Sequence, residues 1–346
     1  MIKHLYRVGL LCLLTLSQSV LAAGLGEVSS YLTAIGQAGE RLVSVGERGL
    51  VLLSDDNGDN WRSVDSGVSN TLTAVEFYDD QVGLALGHGS SILKTSDAGA
   101  TWRPVLHGMQ LAQLTRKAAA GAHVEQAARL ERFAQRIEDG AASDPLFAVL
   151  FLDARTVFVV GAYGMALRSD DGGESWRVWM AHVDNPQELH LYAIRRAGEV
   201  LYLAGEQGYL ARSLDHGQSF IQLETDYAGS FFALHGTAGG EVIAAGLQGQ
   251  VVRSVDQGES WQRLDSAQTM TLIDVREDRQ GRLLFAALNG DVQVLEGATL
   301  QILGPQGSSP LSAFAVDARG NLLAVGALGI RRIAVANELS VSGVSP

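Results

Sequence analysis

The carboxylates of SDDGGESW, Ser169 to Trp176, are the densest chemistry in the chain. Asp170, Asp171 and Glu174 within one short turn offer a metal-ligand set, a catalytic acid pair or a piece of architecture. The same eight-residue pattern recurs as SDDNGDNW (Ser54 to Trp61), TSDAGATW (Thr95 to Trp102), SLDHGQSF (Ser213 to Phe220) and SVDQGESW (Ser254 to Trp261). Each copy has an aspartate third (Asp56, Asp97, Asp171, Asp215, Asp256) and an aromatic eighth (Trp61, Trp102, Trp176, Phe220, Trp261). Five copies argue against five active sites. In a hairpin turn the carboxylate accepts N–H bonds from its own turn, and the glycine two residues on takes positive φ without steric cost. The aromatic packs between neighbouring repeats. The expected role is structural.

Other chemistries fare worse. Asp55, Asn57 and Asp59 have the first three ligand spacings of a calcium loop, but Asn60 stands where its glycine belongs and Ser66 where its last glutamate belongs. His182, His190 and His235 lack metal-ligand spacing. There is no G-x-S-x-G elbow. No catalytic residue, metal ligand or cofactor is expected.

The elements that carry these turns follow from a second repeat. Eight residues before each pattern lies a glycine turn: GERG (Gly46 to Gly49), GHGS (Gly87 to Ser90), GAYG (Gly161 to Gly164), GEQG (Gly205 to Gly208) and GLQG (Gly246 to Gly249). It continues as ALNG (Ala287 to Gly290) and GALG (Gly326 to Gly329), giving seven units. Between the turns run short β-rich segments without helical period, such as LTAVEFY, VGLALG and SILKTS. Four strands in about 40 to 45 residues is the signature of a propeller blade. The predicted fold is all-β, a seven-bladed β-propeller of four-stranded antiparallel blades. Gly24 to Ser30, or the tail after Asn337, must supply the last outer strand.

One interval of 74 residues leaves room for an insert between blades 2 and 3, at about 109–142. It is rich in Ala, Leu, Gln, Glu and Arg, strong helix formers. Val124, Ala127, Leu130, Phe133, Ala134 and Ile137 make one apolar stripe. Either a helix folds back on the rim, or a helix or hairpin projects to bind a partner, with Arg116, Lys117, Arg129, Arg132 and Arg136 as its basic face.

Residues 1–23 read as a secretory signal peptide: Lys3, His4 and Arg7, an apolar run, then VLAAG with cleavage near Ala22 or Ala23. Cys12, the only cysteine, leaves with it, and its GLLCLL context does not suit lipid attachment. Residues 24–346 then form the propeller, with no disulfide. They keep 24 basic against 38 acidic residues, which disfavours nucleic acid and anionic lipid. No later segment is apolar and long enough to span a membrane.

The eight-residue pattern resembles the Asp-box (BNR) repeats of sialidases and of many non-enzymatic propellers. A sialidase also needs an arginine triad and a tyrosine-glutamate pair that find no match here. A closer likeness lies in PLFAVLFLDARTVFVVGAYG (Pro145 to Gly164), HLYAI (His190 to Ile194), LYLAGEQGYLARSLDHGQSF and YAGSFFAL (Tyr227 to Leu234). These resemble the photosystem II stability and assembly factor family, more specifically its non-photosynthetic Gram-negative relatives. The resemblance implies a seven-bladed accessory or assembly protein, not an enzyme. It also implies a partner: an inner-membrane exporter of the resistance-nodulation-division class, or its accessory subunits. The basic patch of the photosynthetic members has no counterpart in this acidic chain.

Propellers bind through the loops at one mouth of the ring. The glycine turns offer Arg48, His88, Tyr163, Glu206, Gln207, Gln248 and Asn289 there. The interblade connections add His190, Tyr192, Tyr227, Phe231, Phe232 and His235, with at least one of the two phenylalanines in the core. The expectation is therefore a periplasmic interaction scaffold, peripheral to the inner membrane, with contacts drawn from Arg48, His88, Tyr163, Gln207, Gln248, His190, Tyr227 and Phe232. The alternative is a propeller that binds glycan or lipid, or a sialidase-like hydrolase. Paired carboxylates beside a cleft would favour hydrolysis, and an aromatic-lined surface a protein partner.

Overall fold

A computed structural model describes residues 22–24, 30–139, 143–266, 268–303 and 309–333. The expected signal peptide, apart from Ala22 and Ala23, and the tail after Asn337 lie outside the described residues.

Each unit opens with an inner strand: Leu32–Ala38 (β1), Leu72–Phe77 (β2), Leu146–Phe151 (β3), Leu191–Ala197 (β4), Phe231–Gly236 (β5), Leu272–Glu277 (β6) and Leu311–Val316 (β7). The strands that follow pair antiparallel in chain order, as Arg41–Gly46, Val51–Ser54 and Asn60–Val64 do after β1. The second strand of a unit is a continuous apolar run, such as Gly83–Gly87 or Val242–Gly246, because units on both sides cover it. Neighbouring inner strands touch, and β7 touches β1. The result is a closed, all-β, propeller-like ring.

The sheets deviate from four strands at three places. Ala22–Gly24 pairs with Asn60–Arg62 and makes the first sheet five-stranded. The units opened by β5 and β6 join into one eight-stranded sheet, through parallel pairing of Asp265 with Thr299 and Ser266 with Leu300. The last sheet has three strands among the described residues. Gly24, one expected source of its outer strand, pairs with Asn60 in the first sheet instead.

The insert is a helical hairpin, Gly108–Ala120 (α1) and Val124–Glu138 (α2). Leu111, Leu130, Phe133 and Ile137 share a core with Leu106, Leu146 and Met165 of the ring. At about 1.5–3 kcal/mol per buried large side chain, that contact holds the hairpin down on the rim. The predicted stripe needs one correction. Val124, the first residue of α2, is 86% exposed, while Leu130, Phe133, Ala134 and Ile137 are buried.

Candidate functional site

The glycine turns and the interblade segments meet at one end of the ring. In each unit the residue after the first Gly or Ala of the turn donates its N–H to the segment entering the inner strand: Glu47 to Tyr31 O, His88 to Thr71 O, Ala162 to Pro145 O, Glu206 to His190 O and Leu247 to Ser230 O, at 2.9–3.0 Å. Leu288 to Thr271 O and Ala327 to Pro310 O complete the series. The chain turns through left-handed φ at Arg48, Tyr163, Gln207 and Gln248, with the Arg48, Gln207 and Gln248 side chains exposed and Tyr163 partly buried; Gly89 takes that place in the second turn.

All seven inner strands carry a register shift at their second residue: Thr33, Thr73, Phe147, Tyr192, Phe232, Ile273 and Ser312. A bulge re-aims a side chain, and these seven line the central channel. They divide it in two. Thr33 and Thr73 donate to the neighbouring strands' Leu72 O and Leu146 O, and Ser312 continues this polar side. Opposite stand Phe147, Tyr192 and Phe232, with ring centroids 5.2 Å and 5.0 Å apart in succession.

The aromatic side extends onto the rim. His190 meets Tyr163 edge to face at 4.5 Å, and the Tyr163 N–H donates to His190 Nδ1 at 2.7 Å. That bond requires a lone pair on Nδ1 and so fixes the proton on Nε2. Arg136 of α2 lies 3.2 Å over the Tyr163 ring and pairs with Asp144. Arg129 holds α2 to Glu188 and to Asn185 O. Burial in the mouth, then the nearby Glu206 charge, push the Tyr192 hydroxyl up to about 12, so it stays a neutral donor.

The expected contact residues separate by position. Tyr163, His190 and Phe232 belong to the aromatic arc, joined by Phe147 and Tyr192. Arg48, Gln207 and Gln248 stand exposed on the turns. His88 is held by Ser143 O beside the hairpin. Tyr227 braces the rim, its hydroxyl donating to Leu247 O and its ring 4.8 Å from Phe231. Phe231 is fully buried. His235 is corrected: it sits at the far end of β5, 3.4 Å from Glu277, because an inner strand traverses the channel.

That far end was missed from sequence. The fifth residues of the inner strands place Glu76, Arg195 and Arg276 inside the channel, with Asp274 near them. Aligning the seven strands on their first leucine or phenylalanine exposes both sets, because the second and fifth positions vary while the core positions stay apolar.

The five eight-residue turns lie at the other end of the third strand in the first five units. Ser54 donates to Asp56 Oδ1 and accepts from Gly58 N, while Asn60 donates its backbone and side-chain N–H to the two carboxylate oxygens. Thr95–Asp97–Thr101, Ser169–Asp171–Ser175, Ser213–Asp215–Ser219 and Ser254–Asp256–Ser260 repeat this. Burial opposes ionisation of Asp171 and Asp215, but the hydrogen bonds outweigh it and hold both at about 2. Trp61 and Trp102 donate to Gly58 O and Gly99 O. Phe220 has no such donor, and Trp179 reaches Gly217 O in its stead. The calcium ligands weighed above are engaged elsewhere: Asp55 with Arg41, Asp59 with Arg319 and Arg332.

Residues 134–294 match the family model described as Photosynthesis system II assembly factor YCF48. The Photosystem II assembly lipoprotein Ycf48 of Synechococcus sp. (strain CC9902) is 32% identical over 78 residues, 22% of this chain and 23% of that protein. The chain thus spans less than a quarter of the length of that curated relative. A solved structure described as YCF48 bound to D1 peptide has a TM-score of 0.66 at 14% identity, covering 92% of this chain and 97% of that one. A streptogramin B lyase structure has a TM-score of 0.68 at 8% identity, with the same coverages. The two structures share the fold. Together with the sequence matches, they bear out the resemblance to the photosystem II assembly factor-like propellers.

Proposed function

We propose that this photosystem II assembly factor-like propeller is a non-catalytic assembly or accessory protein that holds a segment of a protein partner at its aromatic mouth. The observation carrying this is the arc from Tyr163 and His190 through Phe147 and Tyr192 to Phe232, half-exposed and lined up along one side of the channel. Aromatic side chains with two torsions and adaptable polar neighbours suit such a surface. The related YCF48 with a D1 peptide is a propeller bound to a peptide, which supports a protein partner in general.

The finer elements belong to the same proposal. The ring is taken as seven blades, and the eight-residue turns as Asp-box architecture rather than sites. The chain is exported by residues 1–23 and works in the periplasm. No helix among the described residues is long and apolar enough to cross a membrane. An exporter of the resistance-nodulation-division class as partner rests on the sequence resemblance alone.

A glycan reading is favoured by the same aromatics, which stack on sugar rings as readily as on side chains. Hydrolysis is less supported. Asp274 accepts from Val275 N, Phe314 N and the Arg276 guanidinium, so this carboxylate is engaged rather than free to transfer a proton.

The test places a photocrosslinking residue at Tyr192, Phe232 or, as control, exposed Leu214 in the tagged protein in its native envelope. Crosslinks to one protein from Tyr192 and Phe232, absent from Leu214, would support the reading. No protein above the untagged control would sink it, and glycan binding would come next.

A further inference from the structure

The far half of the channel holds charges that are only partly paired. Among the described residues the Glu76 side chain on β2 makes no hydrogen bond or ion pair, while its backbone pairs with Leu84. Arg195 on β4 donates to the Ile194 carbonyl and has no carboxylate within 4 Å. Arg276 on β6 is paired with Asp274 at 3.3 Å and stays about one-third exposed to the channel. Burial holds the Arg195 guanidinium below its usual range, with Glu76 and Asp274 opposing that and Arg276 adding to it.

The fold keeps them apart. Glu76, Arg195 and Arg276 each sit at the fifth position of a different strand in the wall, with Asp274 at the third position of β6. The fifth residues between Arg276 and Glu76 are Ala315 and Gly36, too small to fill the gap. They leave a cavity of 420 Å³, with Glu76 and Phe77 on one side and Arg276 and Phe314 on the other. Arg279, Glu277 and Asp278 also line it, the two acids engaged by His235 and Arg282. Through Glu76 and Arg276 the cavity adjoins the channel space that Arg195 lines.

We propose that this cavity, together with the channel space it adjoins, binds a small zwitterion, an amino acid or short peptide with free termini. Its carboxylate lies on Arg195 and Arg276, and its ammonium on Glu76. A simple anion would gain the arginines but face Glu76 and Asp274. A simple cation would face the arginines. A ligand carrying both charges, separated, meets Glu76 and the two arginines at once, and charge-assisted hydrogen bonds are the strong ones. The cavity opens at the end opposite the aromatic mouth, so the proposal is independent of the partner reading above.

Calorimetric titration of the intact folded protein tests it, with glycine, diglycine and triglycine as probes to span the charge separation. The best binder is then compared with its N-acetyl form, which lacks the ammonium, and its amide, which lacks the carboxylate. Each capped form is expected to bind about tenfold weaker or worse. Glu76→Gln should abolish the preference for a free amine, and Arg195→Gln the preference for a free carboxylate, with thermal melts showing both variants folded. Absence of saturable binding by all three probes, or equal binding of the capped forms, overturns the proposal. So does an unchanged preference in both folded variants. The capped-probe comparison on the wild-type protein decides even if a variant fails to fold.

Discussion

Five of the units have two repeated turns at opposite ends of the third strand, and they repeat different things. In the eight-residue turn the side chains repeat: five aspartates accept from the same two positions, a Ser or Thr before and a Ser, Thr or, once, Asn60 after. In the glycine turn the backbone repeats, with the same N–H donated to the incoming segment, while the side chain at the tip changes from Arg48 to Tyr163 to Gln207. Repeated side-chain chemistry serves the ring. A repeated backbone with divergent side chains leaves a surface free to differ from unit to unit, and that is where a partner can be read.

The largest effect should come from breaking the constant part of the glycine turn. Gly208 has φ +75°, and a Cβ there would lie 1.7 Å from Tyr227 O. Relief requires moving the next interblade segment. Gly208→Ala is expected to cost about 3 kcal/mol or more in urea unfolding. Gln207→Ala, one residue away, should stay within about 0.5 kcal/mol. Equal effects at the two positions would break the distinction between fixed backbone and free tip.

Next in size is the carboxylate of the other turn. Asp215→Ala removes the acceptor for Ser213 Oγ, Ser219 N and Ser219 Oγ, and should cost about 1–3 kcal/mol. The same group gives a pH signature. Its carboxyl lies at about 2 in the folded chain, against about 3.9 unfolded. Its contribution is therefore complete above about pH 4 and is lost as pH falls through 2. Chemical denaturation from pH 5 to 2 should show stability falling in the wild type and falling less steeply in Asp215→Asn. Identical slopes would mean that the carboxylate is replaceable by any acceptor.

These differences explain what the sequence disclosed. The repeated turns were legible because both recur at fixed spacing and each uses residue types with one dominant local reason: glycine for φ, aspartate for N–H bonds. The helices of the insert were legible by composition, but not that Val124 lies beyond the rim. The channel was not legible, because the bulge at each second residue breaks the period-two alternation that would point Phe147 and Tyr192 inward. Arg195 and Glu76 stayed hidden for a related reason. Residues on separate strands of a ring become neighbours only when it closes, and no local spacing encodes that.

The smallest predicted effect tests whether the comparison holds within a single turn. The sixth residue of the eight-residue pattern is not constant: Asp59, Ala100, Glu174, Gln218 and Glu259. Where it is acidic it reaches a base of the preceding unit. Asp59 meets Arg332 at 2.8 Å and Arg319 at 3.1 Å, Glu174 meets Lys94, and Glu259 meets Arg212. Each clamp has a second, backbone half, in which Arg332 donates to Asn57 O, Lys94 to Gly172 O and Arg212 to Gln257 O. In the second turn Ala100 leaves that half alone, with Arg41 on Ala98 O. The acid is thus the dispensable half, and it is exposed. Asp59→Ala should cost about 0.2–1 kcal/mol, less at high salt, although it sits where the last unit meets the first. A loss well above that range, insensitive to salt, would mean that ring closure depends on this ion pair. The varying sixth position would then have to be counted with the constant aspartates rather than with the variable tips.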